Sequence, residues 1–360
     1  MQVWFDLANL YYWPQYEPVF QLLSEKGHQC FLATHRRDDN AELVDRFIPT
    51  LMPTITHEFA HHQNLGAYYA EKNADWIIFG NDNFSAFNLL PKKTKTALLY
   101  HGIGVKACYY SKGLSLFNVR FTEGHFRQTQ LQALYPEANF QEVGFAKLDP
   151  LFNRESFNYQ ALSLSSIGLD DSKKTILYAP TFYPSSIERM PKNWPDLLND
   201  CNIIIKPHFF TWSNPKYQKQ RDLLKHWQSY NNVYIAPAEA VSLLPYMDIS
   251  DLLMSEASSA LFEFAALDKP VLWLDFLQLR WSYRGPLRYR FNKRMDKTIE
   301  PYKGVALHVD SPQGLVMAVQ NQLNNPMQYQ AQRACTTAEL IGKTDGLVSS
   351  RVVEFLERFN

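Results

Sequence analysis

Two of the ten histidines stand where short apolar runs give way to turn residues. His101 follows "TALLY" and precedes Gly102 and Gly104, and His208 follows "NIIIKP". An imidazole, with a pKa near ~6.5, can take a proton from a hydroxyl or stabilise charge on a phosphate near neutrality. Thr181 after "ILYAP" and Asp275 at the end of "VLWLD" occupy equivalent places. The stretch "MSEASSALFEFAALDKPVLWL", from Met254 to Leu274, places Ser255, Glu256, Ser258 and Ser259 where a strand hands over to a helix. Two physical readings compete there. Serine is a good helix N-cap, and small residues at a helix start leave backbone N–H groups open to an anion such as phosphate.

Two further stretches carry polar chemistry. "HEFAHH" contains His57, His61 and His62 and matches the five letters of a zinc-protease motif. Short motifs match by chance, and a metal would need a third ligand from elsewhere, so the preferred reading is a helix with solvent-facing histidines. Between residues 277 and 297 lie Arg280, Arg284, Arg288, Arg290, Lys293, Arg294 and Lys297, interleaved with Trp281, Tyr283, Tyr289 and Phe291. A basic and aromatic segment just after a strand end suits a phosphate-rich ligand or an anionic membrane surface.

These residues need elements to hold them. "QVWFDL", "HQCFLAT", "ADWIIFGN", "TALLYHG" and "FQEVGFAKLDP" read as strands, as do "KTILYAPTF", "CNIIIKPHF", "NNVYIAP", "DLLMS" and "PVLWLDF". Apolar runs without strict alternation, separated by helical stretches, indicate parallel strands buried on both faces. A polar segment, 153–172, divides two such halves. The expected class is α/β: two doubly wound domains facing each other across a cleft, with ligands gathering at the carboxyl ends of the strands. The expected bounds are 1–155 for an acceptor-side domain, 173–340 for a nucleotide-donor-binding domain and 341–360 for a C-terminal helix. At 360 residues the chain is long enough for two cores.

Composition narrows the partners. Lys and Arg total 36 against 36 Asp and Glu, so no global charge favours nucleic acid. Cys30, Cys108, Cys201 and Cys335 form no CxxC pair, which fits a reducing cytoplasm. The start "MQVWFDLANLYYW" lacks the basic region of a signal peptide, and no window reaches the ~20 apolar residues that span a bilayer. Membrane contact, at the inner face of the cell membrane, is expected to be peripheral.

"HGIGVK", "GFAKLD", "ILYAPTF", "IIIKPH", "SEASSALFEFAALDKPVLWLD", "YRG" and "DGLVSSRVV", in that order, resemble the CDP-glycerol glycerophosphotransferase family, whose members build teichoic-acid-like polymers. The resemblance implies Rossmann-like domains of the GT-B architecture. It implies transfer of a polyol phosphate, glycerol phosphate first, from a CDP-activated donor to a hydroxyl of a glycan or lipid-linked acceptor, with release of CMP. By the same resemblance His101 is the base toward the acceptor and His208 meets the donor phosphates. Ser258 and Ser259 hold the pyrophosphate, Arg284 matches an Arg-Gly pair, and Glu263 stands where the family has Asp. Thr181, Lys206, Ser255 and Glu256 complete the expected donor side; no metal or cofactor is expected. The family's His-Gly-x-Pro is "HGIG" here, its Asp-Tyr-Ser-Ser is "EASS", and Phe209 follows His208 in place of proline. Those departures leave open another polyol phosphate, a nucleotide sugar, or a non-catalytic nucleotide- or glycan-binding protein.

Overall fold

The computed structural model describes the chain except residues 52–54, 61, 105–106 and 295; the side chains of residues 62 and 294 also lie outside the described set. His61 and His62 of "HEFAHH", Val105 and Lys106 of "HGIGVK", and Arg294 therefore fall wholly or in their side chains outside the described residues.

The chain divides into two compact units. The first comprises Met1–Gly102, Tyr109–Tyr159 and Ala338–Asn360, and the second Ile103–Cys108 and Gln160–Thr337. In the first unit the strands are β1 (Gln2–Leu7), β2 (Gln29–His35), β3 (Thr56–Ala60), β4 (Trp76–Phe79), β5 (Lys95–Leu99), β6 (Val119–Thr122) and β7 (Phe140–Glu142). They form one sheet in the order β3-β2-β1-β4-β5-β6-β7, and every pairing is parallel. The second unit holds β8 (Thr175–Tyr178), β9 (Asn202–Ile205), β10 (Val233–Ile235), β11 (Leu252–Ser255), β12 (Val271–Leu274) and β13 (Leu307–Val309). Their order is β10-β9-β8-β11-β12-β13, again all parallel. Every residue of β4, β8, β9, β11 and β12 is buried, as strands covered by helices on both faces require. The fold is α/β with two parallel sheets, as expected.

Three details differ from the expectations. "HEFA" is not helical: Thr56–Ala60 forms β3, paired in parallel with β2. His57 thus stands on a strand and not on the helix that the zinc motif needs. Secondly, β6 and β13 were not anticipated. Arg120 sits inside β6 and His308 inside β13, and each interrupts an apolar run only three or four residues long.

The third concerns the C-terminal segment. Ala338–Asn360 groups with the first unit, and the longer segment of the second unit, Gln160–Thr337, starts within the expected linker. The carboxylate of Asp149 accepts the N–H groups of Val348 at 3.2 Å and Ser349 at 2.6 Å, and the Ser349 hydroxyl at 2.6 Å. It thereby satisfies the open donors at the start of the helix Val348–Arg358. The Trp76 indole donates to the Leu356 carbonyl at 3.2 Å, and Val352, Val353 and Leu356 are fully buried. Gly346 enters this helix with φ +67°, and a Cβ there would lie 2.4 Å from that of Asn153. Only glycine fits.

Candidate functional site

In the first unit the candidate chemistry gathers just beyond β4 and β5. Gly80 follows Phe79, the last residue of β4, and His101 lies two residues past Leu99, the last of β5. The adjacent parallel strands bring the two turns together. His101 donates through Nδ1 to the Gly80 carbonyl at 2.7 Å. A carbonyl can only accept, so Nδ1 carries the hydrogen and the neutral ring's lone pair is on Nε2. The ring stacks on Tyr12 with centroids 4.2 Å apart and planes 16° apart, and Tyr11 meets it edge-on at 5.2 Å. The Tyr12 oxygen in turn accepts the side-chain amides of Asn9 at 3.0 Å and Asn81 at 2.9 Å. Burial pushes both phenols' pKa values up, so Tyr11 and Tyr12 are neutral at physiological pH. Gly80 is required by space: a Cβ there would lie 2.6 Å from Tyr12 Cδ2 and 2.7 Å from the Tyr16 hydroxyl. Tyr11, Tyr12 and Gly80 were not anticipated. "NLYYW" after β1 and "FGN" after β4 obey the same strand-end rule that picks out His101.

His208 has the opposite tautomer. It precedes the helix Phe209–Ser213, and its Nδ1 accepts the Phe210 N–H at 3.1 Å, so the neutral ring carries its hydrogen on Nε2. Its ring lies 4.7 Å from that of Phe182. One histidine is thus set to accept a proton at Nε2 and the other to donate from Nε2. Lys206 joins the same turn, its N–H donating to the Tyr178 carbonyl at 2.9 Å.

In "SEASS" Ser255 and Glu256 are buried, and Ala257, Ser258 and Ser259 are half-buried. The Ser255 hydroxyl donates to the Ala179 carbonyl at 2.7 Å and lies 2.9 Å from the Ser258 hydroxyl. Ser255 has spent its one hydrogen, so Ser258 is the donor of that pair. Ser258 occupies the N-cap position of the helix Ser259–Ala265, with φ −147° and ψ 161°, yet its side chain makes no capping bond. Ser259 opens the helix half-buried, and Glu263 lies buried on it.

Glu256 is 2% exposed, and burial raises its pKa against the donors that surround it. Its Oε2 accepts the Thr181 N–H at 2.7 Å, and its Oε1 accepts the Ser186 N–H at 2.6 Å together with the Ser186 hydroxyl. Thr181 also turns its hydroxyl onto the Pro184 carbonyl. Both carboxylate oxygens of Glu256 thus hold the loop after β8, so any effect of this expected donor residue on a ligand passes through that loop.

The basic segment is exposed and carries the short helix Arg288–Arg294. Arg284 donates through Nε to the Leu279 carbonyl of its own segment at 2.6 Å. Arg280 is held more firmly: its guanidinium lies 3.9 Å from the centre of the Tyr183 ring, and Nη2 donates to the Tyr217 hydroxyl at 2.7 Å.

The model of the CDP-glycerol:poly(glycerophosphate) glycerophosphotransferases matches residues 125–358. The chain belongs to this family. Within it, the chain is similar to the teichoic acid glycerol-phosphate primase of Bacillus subtilis, 24% identical over 289 residues that make up 72% of this chain and 71% of the primase. It is also similar to the teichoic acid poly(glycerol phosphate) polymerase of Bacillus spizizenii, 25% identical over 182 residues. That match covers 47% of this chain but only 41% of the polymerase. Among solved structures, the wall teichoic acid polymerase TagF superimposes with a TM-score of 0.72 at 14% identity, over 99% of this glycerophosphotransferase-family chain and 88% of that one. A UDP-GlcNAc 2-epimerase from Neisseria meningitidis shares the fold with a TM-score of 0.63 at 14% identity, over 99% of this chain and 100% of the epimerase.

Proposed function

We propose that this family member transfers glycerol phosphate from CDP-glycerol to a hydroxyl of a glycan or lipid-linked acceptor in cell-envelope polymer synthesis. The acceptor oxygen forms a bond to the β-phosphorus, the bond from that phosphorus to the bridging oxygen breaks, and CMP leaves with that oxygen. The acceptor's proton passes to Nε2 of His101. The observation that carries this reading is the Nδ1 hydrogen bond from His101 to the Gly80 carbonyl, which assigns the lone pair to Nε2. His208, with its hydrogen on Nε2, supplies a donor to phosphate oxygen in the second unit. Ser258, Ser259, Lys206 and Arg284 serve the donor on the strength of the family resemblance. Phosphoryl transfer asks mainly for positioning and charge stabilisation, which these groups provide.

No helix among the described residues is long and apolar enough to cross a membrane. The exposed Trp281 and Tyr289, set among the arginines of their segment, suit peripheral attachment to an anionic leaflet.

The test is CMP release from CDP-glycerol in the presence of a lipid-linked acceptor. His101→Ala is expected to lower turnover by ~100-fold or more with donor affinity little changed. Wild-type turnover in that variant would remove the base assignment. Release of a nucleoside diphosphate from a nucleotide sugar, without CMP release from CDP-glycerol, would replace phosphotransfer with glycosyl transfer.

A further inference from the structure

The loop Thr181–Ile187 touches more of the candidate donor chemistry than any single residue expected to bind the donor. Glu256 grips the loop at both ends, through the N–H groups of Thr181 and Ser186. In the middle the Phe182 ring lies 4.7 Å from that of His208 and 5.8 Å from that of Tyr217. Toward the basic segment, Ser185 and Gln278 form an antiparallel bridge, with the Gln278 N–H donating to the Ser185 carbonyl at 2.8 Å. The Tyr183 hydroxyl accepts the Arg280 N–H at 3.1 Å, and the Tyr183 ring carries the Arg280 guanidinium on its face. The loop therefore links a buried carboxylate to an exposed guanidinium.

Arg280 is prepared for an anion. Stacking on Tyr183 and the bond from Nη2 to Tyr217 fix the plane of the guanidinium, so little side-chain freedom remains to be lost on binding. Among the described residues the Nε hydrogen, the Nη1 hydrogens and the second Nη2 hydrogen meet no protein acceptor. That second Nη2 hydrogen runs parallel to a hydrogen of Nε or of Nη1, a pair with the geometry for two bonds to phosphate oxygens. Arg284, by contrast, spends its Nε hydrogen on its own segment.

We propose that Arg280 binds a donor phosphate, and that Glu256 is a positioning residue which sets Arg280 through the loop Thr181–Ile187. The inference rests on the reading that this unit takes a nucleoside-diphosphate donor. It adds an arginine not singled out above as donor-binding, and it gives a purpose to glutamate in "EASS": both its oxygens are needed, one for each end of the loop.

The experiment measures binding of CDP-glycerol and of CDP to the full chain by calorimetry, with hydrogen exchange of residues 278–284 followed in parallel. Arg280→Ala is expected to weaken both ligands by ~10-fold or more, and Arg280→Lys to recover only part of the loss, since lysine cannot reproduce a two-point contact. Glu256→Gln sets an amide N–H₂ against an N–H donor. It is expected to speed exchange in 278–284 and to weaken CDP to a similar degree, while the double variant Glu256→Gln/Arg280→Ala binds no worse than Arg280→Ala. Should Glu256→Gln fail to fold, Tyr183→Phe, which removes only the hydroxyl accepting the Arg280 N–H, is expected to give the same pattern on a smaller scale. Wild-type affinity in Arg280→Ala overturns the assignment of Arg280. Additive losses in the double variant, or unchanged exchange in 278–284, overturn the positioning by Glu256. If the wild type binds CDP but not CDP-glycerol, the glycerol-phosphate reading fails while Arg280 stands or falls on CDP; if it binds neither, both fail.

Discussion

Gly80→Ala tests whether the ring of His101 must sit where it does. The added Cβ would lie 2.6 Å from Tyr12 Cδ2, whereas carbon atoms settle at about 3.5 Å or more. Tyr12 must therefore retreat by about 1 Å, or the turn after β4 must shift by a similar amount. Either movement reaches His101, because Tyr12 is the face on which its ring stacks and the Gly80 carbonyl is the acceptor for Nδ1. Misplacing a reacting group by about 1 Å can cost ~100-fold in rate. Overpacking of this kind usually costs about 1–3 kcal/mol of stability, so the melting temperature should fall by several degrees without loss of fold. The assay is steady-state CMP release from CDP-glycerol, with CDP binding measured by calorimetry as the control. Turnover should drop by ~100-fold, while CDP, whose expected contacts lie in the second unit, binds as before. A variant with the wild-type rate would refute the reasoning, since the clash would then be absorbed without consequence for the imidazole.

Two further predictions follow from features of the second unit. Replacing Ser258 and Ser259 together by Ala should weaken CDP-glycerol, but thermal stability should fall by less than the ~1 kcal/mol of a lost cap, because the Ser258 side chain makes no capping bond; a full cap's loss of stability with unchanged donor affinity would return the serines to a structural role. His308 places Nδ1 2.7 Å from Asp275 Oδ2 and Nε2 3.1 Å from the Lys303 carbonyl, two acceptors that only the imidazolium satisfies at once, and the hydrogen bond to Asp275 raises its pKa against the opposing effect of burial. A raised folded pKa means that the stabilisation is complete below the unfolded value of ~6.5 and is lost as pH rises through the folded one, so His308→Asn should melt below wild type at about pH 6 and converge with it in alkali; parallel melting curves across that range would exclude the charge.

The apolar runs made the two parallel sheets legible, because strands buried on both faces need no alternation and stand out as unbroken hydrophobic blocks. Where a polar side chain had to enter a strand the pattern broke, and β6 with Arg120 and β13 with His308 escaped notice. "HEFA" failed for a related reason: an edge strand is only half covered, so its residues carry neither a helical nor a strand periodicity. Within the candidate site, strand ends located His101, His208 and Thr181, since chain exits are set by local sequence. The company these residues keep was not legible. That Tyr12 lies under His101, or that Glu256 reaches Thr181 and Ser186, depends on pairings across 89 and 70–75 positions of sequence, which no local pattern encodes.

The return of the chain to the first unit from Ala338 bears on how the protein is made. Residues 160–337 are an insertion within the first unit. During synthesis, which proceeds from the N-terminus, β1 to β7 leave the ribosome well before the helix Val348–Arg358 that buries against them. Until that helix arrives, Asp149 has no Val348 or Ser349 to hold and the Trp76 indole lacks its carbonyl partner. The second unit, contiguous over nearly all its length, can finish first. The first unit, begun before the second, is thus completed after it.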